Sequence, residues 1–169
     1  MALNEDVGRA VQGARPTLAN SFGTPVLTVE AASVAAVLGF LRDDPGQAYD
    51  MLVDITAVDR LATEGGIDVV YNICSLTSGR RLTVKTRLTG QDPALPTVTG
   101  LWKAAGWAER EVYDMFGVRF DGHPDLRRIL MYEGFEGSPL LKSYPVDKRQ
   151  PLVAERDPIA DPWPSKDGL

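Results

Sequence analysis

Residues 67–88, IDVVYNICSLTSGRRLTVKTRL, decide the architecture. From Arg81 to Leu88, the residues Leu82, Val84, Thr86 and Leu88 alternate with Arg81, Thr83, Lys85 and Arg87. A period of two puts the two sets on opposite faces of an extended strand. The preceding run, Ile67–Leu76, follows a Gly65-Gly66 turn and reads as a second strand. Thr77-Ser78-Gly79 is a short connection, so the two runs form an antiparallel hairpin. One face of that sheet is wet or meets a polar partner, and the other meets helices.

Moving outward, Asp50–Arg60 is rich in β-branched residues and reads as another strand, as does Thr24–Val29. Between them Ser33 is an N-cap candidate, and Val34, Val37, Leu38 and Leu41 share one helical face. Asp43-Asp44-Pro45-Gly46 stops that helix. C-terminal to the hairpin, a helical region is expected over Thr97–Phe116, with Gly106 able to split it. Its stripe is Trp102, Ala105, Glu109, Val112, Tyr113 and Phe116, with Gly117 as the C-cap. Arg110 and Asp114 are spaced to pair at i,i+4. The order β-α-β-β-β-α predicts an α+β two-layer sandwich, with helices on one face of a mixed, mostly antiparallel sheet. The expected division is 1–23 as an unassigned N-terminal segment, 24–120 as the α+β domain, and 121–169 as an irregular loop and extended arm. Within 1–23, a short helix is expected around Asp6–Gln12, then a loop through Pro16.

A net charge of −5 argues against nucleic acid as the main partner. No apolar run approaches the roughly 20 residues needed to span a bilayer. The stretch MALNEDVGRAVQGA lacks an apolar signal core, so a cytosolic compartment is expected. Cys74 is the only cysteine and His123 the only histidine. Most metal, haem and nucleophile–base sets need at least one more such group. Cys74 reads as a small core residue; Lys85 and Arg87 lie on the wet sheet face, either touching acidic neighbours or, the preferred reading, solvated.

Six of the twelve prolines (139, 145, 151, 158, 162 and 164) fall after Ser138. Proline at that frequency forbids a useful helix or central strand. Tyr144, Leu152, Val153, Ile159 and Trp163 give the resulting extended arm apolar anchors for a partner.

The stretch Trp107–Pro145 carries charges of both signs, aromatics, glycines and prolines without a helical or strand period after Phe116. Such a segment is ordered by lying against something. Glu109, Arg110, Glu111 and Asp114 cluster within two helical turns, and Arg127 and Arg128 follow in the loop. Glu109 falls on the apolar stripe, so it needs a partner, which Arg127 or Arg128 can supply by folding back. Internal pairing and contact with a neighbour both fit this set. Asp121-Gly122-His123-Pro124-Asp125 admits two readings. His123 with Pro124 is a structural or interface turn, or His123 with Asp121 and Asp125 acts as a ligand or hydrolase site. No second histidine or cysteine completes a metal set, so the turn is preferred. Gly134 and Gly137 lack a dinucleotide fingerprint and permit tight turns.

EREVYDMFGVRFDGHPDLRRIL (109–130) and GSPLLKSYP (137–145) closely resemble the signature of the 30-kDa subunit of proton-pumping NADH:quinone oxidoreductase, respiratory complex I, known in bacteria as its C subunit. Leu41-Arg42-Asp43-Asp44 and the run Leu52–Asp59 (LVDITAVD) resemble a second segment of that family. The likeness covers roughly Thr24–Leu152. It implies a non-catalytic peripheral-arm subunit on the cytoplasmic side of the cell inner membrane, its membrane association indirect, through the complex. The implied neighbours are the 49-kDa subunit and the iron–sulfur subunits. FMN, iron–sulfur clusters and quinone belong to those neighbours, and this chain holds no cofactor of its own. The structural or interface residues expected in this chain are Glu109, Arg110, Glu111, Asp114, Phe116, Gly117, His123, Pro124, Arg127, Arg128, Tyr144 and Pro145. Some bacteria fuse this subunit to the 49-kDa partner, whereas this chain reads as a separate polypeptide. Related subunits of membrane-bound hydrogenases and of ferredoxin- or deazaflavin-linked complexes are the nearest alternative. An independent hydrolase using Asp121, His123 and Asp125 is the remote alternative. A stand-alone binding module is a third, against which exposed aromatics and the proline arm speak, because isolated chains seldom leave such patches bare.

Overall fold

The computed structural model describes residues 3–60, 64–132 and 134–150. The arm expected beyond Gln150 lies outside the described residues. Helix α1 (Leu3–Ala10) leads into strand β1 (Thr17–Ser21), which pairs antiparallel with β2 (Thr24–Val29). Helix α2 (Val34–Asp43) follows, then β3 (Met51–Asp59), β4 (Ile67–Cys74) and β5 (Arg81–Leu88). A short β6 (Ala94–Pro96), helix α3 (Ala105–Phe116) and β7 (Arg119–Asp121) complete the regular elements. The main sheet runs β1-β2-β5-β4-β3, with β2 parallel to β5 and its other pairs antiparallel. The expected α+β class with a mixed sheet is therefore observed, and α3 packs across the sheet at β3.

The alternation in β5 decides which face is core. Leu82, Val84, Thr86 and Leu88 are buried, whereas Arg81 and Arg87 are exposed. Val34, Val37, Leu38 and Leu41 of α2 are all buried in the same core, as their spacing predicts. In β3 the register slips between Leu52 and Asp54, so Val53 is an extra residue on the outer side. That bulge keeps both Leu52 and Ile55 pointing inward despite their odd spacing. Gly66, at φ +132°, packs where an added Cβ would sit 2.4 Å from the Leu88 carbonyl oxygen. Only glycine fits between the ends of β4 and β5 there.

Several local expectations change. The segment before residue 24 is not merely helix and loop, because β1 adds an edge strand made of exposed residues. Ser33 directs its hydroxyl back to the Glu30 carbonyl and does not cap α2 by its side chain. The helix expected from Thr97 begins at Ala105, and residues 97–104 form turns that bury Val98 and Trp102. Cys74 is half-exposed on the outer face, since Ile73 takes the inward position next to it. Arg87 is not simply solvated: it grips Asp68 at 2.6 and 3.0 Å and Glu64 at 2.7 Å.

Candidate functional site: a loop fastened to helix α3

Helix α3 ends at Gly117, whose φ of +73° lets its N–H close on the Tyr113 carbonyl at 2.9 Å. The chain then runs through β7, which pairs parallel with β6, and enters the long segment 122–150. That segment has no strand or helix of its own among the described residues, so its backbone groups must find other partners. Asp114 supplies three of them. Its carboxylate has no exposed surface and accepts the N–H groups of Ile129, Leu130 and Met131 at 3.0, 2.8 and 2.8 Å on one oxygen. Its other oxygen accepts Arg128 Nη1 at 2.7 Å. Burial by itself would raise this carboxyl, but the backbone donors and the Arg128 guanidinium together hold it below the ordinary carboxylate range.

Arg128 also donates to the Gly137 carbonyl at 3.0 Å and lies over the Phe135 ring. Arg110 donates to the carbonyls of Arg127 and Arg128, both at 2.9 Å, and lies over Trp107. The expected Arg110–Asp114 pair is therefore absent. Each residue instead reaches across to the loop, Arg110 to two of its carbonyls and Asp114 to three of its N–H groups. Arg127 pairs with Asp125 at the surface, at 2.6 and 2.7 Å. Further along, Leu140 N–H donates to the Met115 carbonyl, and Lys142 N–H donates to Asp59 of β3 at 2.6 Å. Tyr144 stacks on Phe135 and accepts a close contact from Gln150. Phe116 lines a crevice with Gly117 and Leu141, while Glu111, Pro124 and Pro145 are exposed.

Glu109 is fully buried, as its place on the apolar stripe requires, but neither arginine reaches it. It accepts the Val98 N–H at 2.7 Å and the Thr97 hydroxyl at 2.5 Å. Desolvation pushes this carboxyl up, partly offset by those two donors. His123 lies 3.9 Å away, too far for a direct hydrogen bond, with only 2% of its side chain exposed. Its Nε2 meets the Gly106 carbonyl and its Nδ1 accepts the Asp125 N–H, each at 3.0 Å. The neutral Nε2–H tautomer satisfies both partners. Sequence spacing could not reveal Thr97 or Val98 as the partners of Glu109, because both precede α3. Among the described residues, no group of three or more His, Cys, Asp or Glu is placed to hold a metal. No helix among them is long and apolar enough to cross a membrane.

Residues 27–150 match the family described as respiratory-chain NADH dehydrogenase, 30 Kd subunit. The chain belongs to that family. It is 42% identical over 154 residues to an NADH-quinone oxidoreductase C subunit of Rhizobium meliloti (strain 1021), spanning 89% of this chain and 84% of the relative. Over 147 residues it is 45% identical to the NADH-quinone oxidoreductase C subunit of Paramagnetospirillum magneticum, spanning 84% and 73%. Among solved structures, it resembles Nqo5 of a trypsin-resistant fragment (1–134), with TM-score 0.61 and 31% identity over 72% of this chain and 95% of that one. A chain of the membrane-bound sulfane sulfur reductase, an archaeal respiratory membrane complex, gives TM-score 0.61 and 26% identity over 75% and 73%. The fastened loop, with Asp114, Arg128 and His123, lies wholly inside the 30-kDa family match. As a member of the 30-kDa family, the chain is one subunit of an NADH-quinone oxidoreductase.

Proposed function

We propose that this chain is a non-catalytic frame in the peripheral arm of its complex, on the cytoplasmic side of the membrane, docking to the 49-kDa subunit through α3 and residues 121–150. Electrons from NADH then pass through FMN and iron–sulfur clusters of neighbouring subunits to quinone, with no residue of this chain in the path. The observation that carries this reading is the buried Asp114 carboxylate, which gathers three consecutive loop N–H groups and Arg128. Such an anchor holds an otherwise irregular segment in one shape. That segment then presents Leu130, Tyr132, Leu140 and Val146, at least 39% exposed each. Large apolar side chains held outward on a fixed backbone suit a protein partner, because little entropy remains to be lost on binding.

The test is Arg128→Ala and Asp114→Asn in the organism's own complex. Assembled complex on native gels should fall, while NADH:quinone turnover per bound FMN stays unchanged. Normal complex levels with turnover lost would contradict a framing role. The likeness of fold to a chain of the archaeal sulfane sulfur reductase extends to another respiratory membrane complex. Flavin and iron content of the gently purified assembly therefore also separates the NADH-linked form from its relatives.

A further inference from the structure

The main sheet has a second face, turned away from α3, and its surface does not resemble one made for water. Met51 and Val53 on β3 are 43% and 56% exposed, and the bulge at Val53 pushes that side chain outward. Together with Val26 they border a shallow groove of about 750 Å³ that runs across the strands. Arg81 and Lys85 of β5 line the same groove. Their neighbour Arg87 is neutralised by Asp68 and Glu64. Arg81 has no ion pair among the described residues, and Lys85 feels Asp68 only at longer range. Asp54, across the sheet at the rim of the groove, is the one carboxylate lining it. In a chain of net charge −5, two cations facing a single carboxylate beside exposed methionine and valine side chains form an unusual combination.

We infer that this outer sheet face is a second docking surface, occupied in the complex by an acidic, partly apolar segment of another subunit. Its carboxylates lie over Arg81 and Lys85, and its apolar side chains over Met51 and Val53. Charge complementarity selects that occupant. A second copy of this chain would offer, from the same groove, only Asp54 against Arg81 and Lys85, one carboxylate for two cations. The face lies on the side of the sheet away from α3 and the loop fastened to it. This inference goes beyond the docking role proposed above and does not depend on it.

A photo-crosslinker attached at Val53→Cys, in a Cys74→Ser background of the full chain within the intact membrane complex, tests it. The expected adduct is with a segment of another subunit bearing at least two Asp or Glu residues. Adding Arg81→Glu and Lys85→Glu should lower the adduct yield several-fold, and Arg81→Lys should preserve it. An adduct only within this chain, with a second copy, or with no protein at all would overturn the inference. So would a yield indifferent to charge reversal. Arg128→Ala probes the opposite side, so failure of either reading is seen separately.

Discussion

Asp114 and Arg128 meet at 2.7 Å across a separation of fourteen residues, joining the last turn of α3 to the start of the loop it supports. The carboxylate is fully buried and the guanidinium is 29% exposed, so the two partners are not equivalent. Losing the arginine leaves Asp114 with its three N–H donors. Losing the carboxylate strands four donors at once.

Asp114→Ala should therefore destabilise the protein by about 3–5 kcal/mol, the range for removing one member of a desolvated pair. Arg128→Ala should cost less, because solvent can reach its place. Denaturant unfolding of the two variants checks the order. Equal losses would mean that the backbone donors contribute nothing.

Glu109, one turn earlier on the same helix, should respond in the opposite sense. Its folded-state proton affinity is raised by burial, so the native state binds that proton more tightly than the unfolded chain. The resulting cost appears as pH rises above about 4.3, the ordinary glutamate value. Glu109→Gln keeps an acceptor for Val98 N–H and a donor for Thr97, so it should be neutral or stabilising at pH 7. A loss of stability at pH 7, measured by thermal melting, would contradict this.

Asp114 sets the acid limb. Its carboxyl is held below its ordinary value, so its contribution is complete above about pH 3.9 and fades as pH falls through the folded-state value. Wild-type stability should drop on that limb, and Asp114→Asn should flatten it. Parallel curves for the two proteins would rule Asp114 out as the source.

Gly117→Ala should weaken both helix end and loop. The residue adopts φ +73°, and an added Cβ would sit 3.0 Å from Ser138 Oγ, at the start of the segment that reaches Met115 and Asp59. The left-handed conformation alone costs about 1–2 kcal/mol for a residue with a Cβ. Hydrogen exchange at the Leu140 and Lys142 amides should accelerate in the variant. Unchanged protection there would separate the helix cap from the loop.

His123→Ala should leave the part-buried Gly106 carbonyl without its partner, at about 1–3 kcal/mol, while the exposed Asp125 N–H turns to water. Metal content of the purified protein should be the same with and without the imidazole. Stoichiometric zinc or iron that disappears in the variant would restore the ligand reading of Asp121, His123 and Asp125.

Local periodicity made much of the fold legible. The two-residue alternation from Arg81 to Leu88 and the stripe from Val34 to Leu41 point to one buried face because each is set by backbone geometry alone. The same reasoning placed Glu109 in the core and Gly117 at a helix end. The signature from Glu109 to Leu130 added the family. Tertiary structure decided the remainder. Strand β1 and the β6–β7 pair are too short and polar to announce themselves, and become strands only because a neighbouring edge supplies hydrogen bonds. The partners of the buried carboxylates depended on where the chain returns. Arg128 and three loop amides arrive at Asp114, whereas Thr97 and Val98 arrive at Glu109. Sequence spacing limits which groups can be desolvated, but a buried charge takes whichever donors the folded chain brings within about 3 Å.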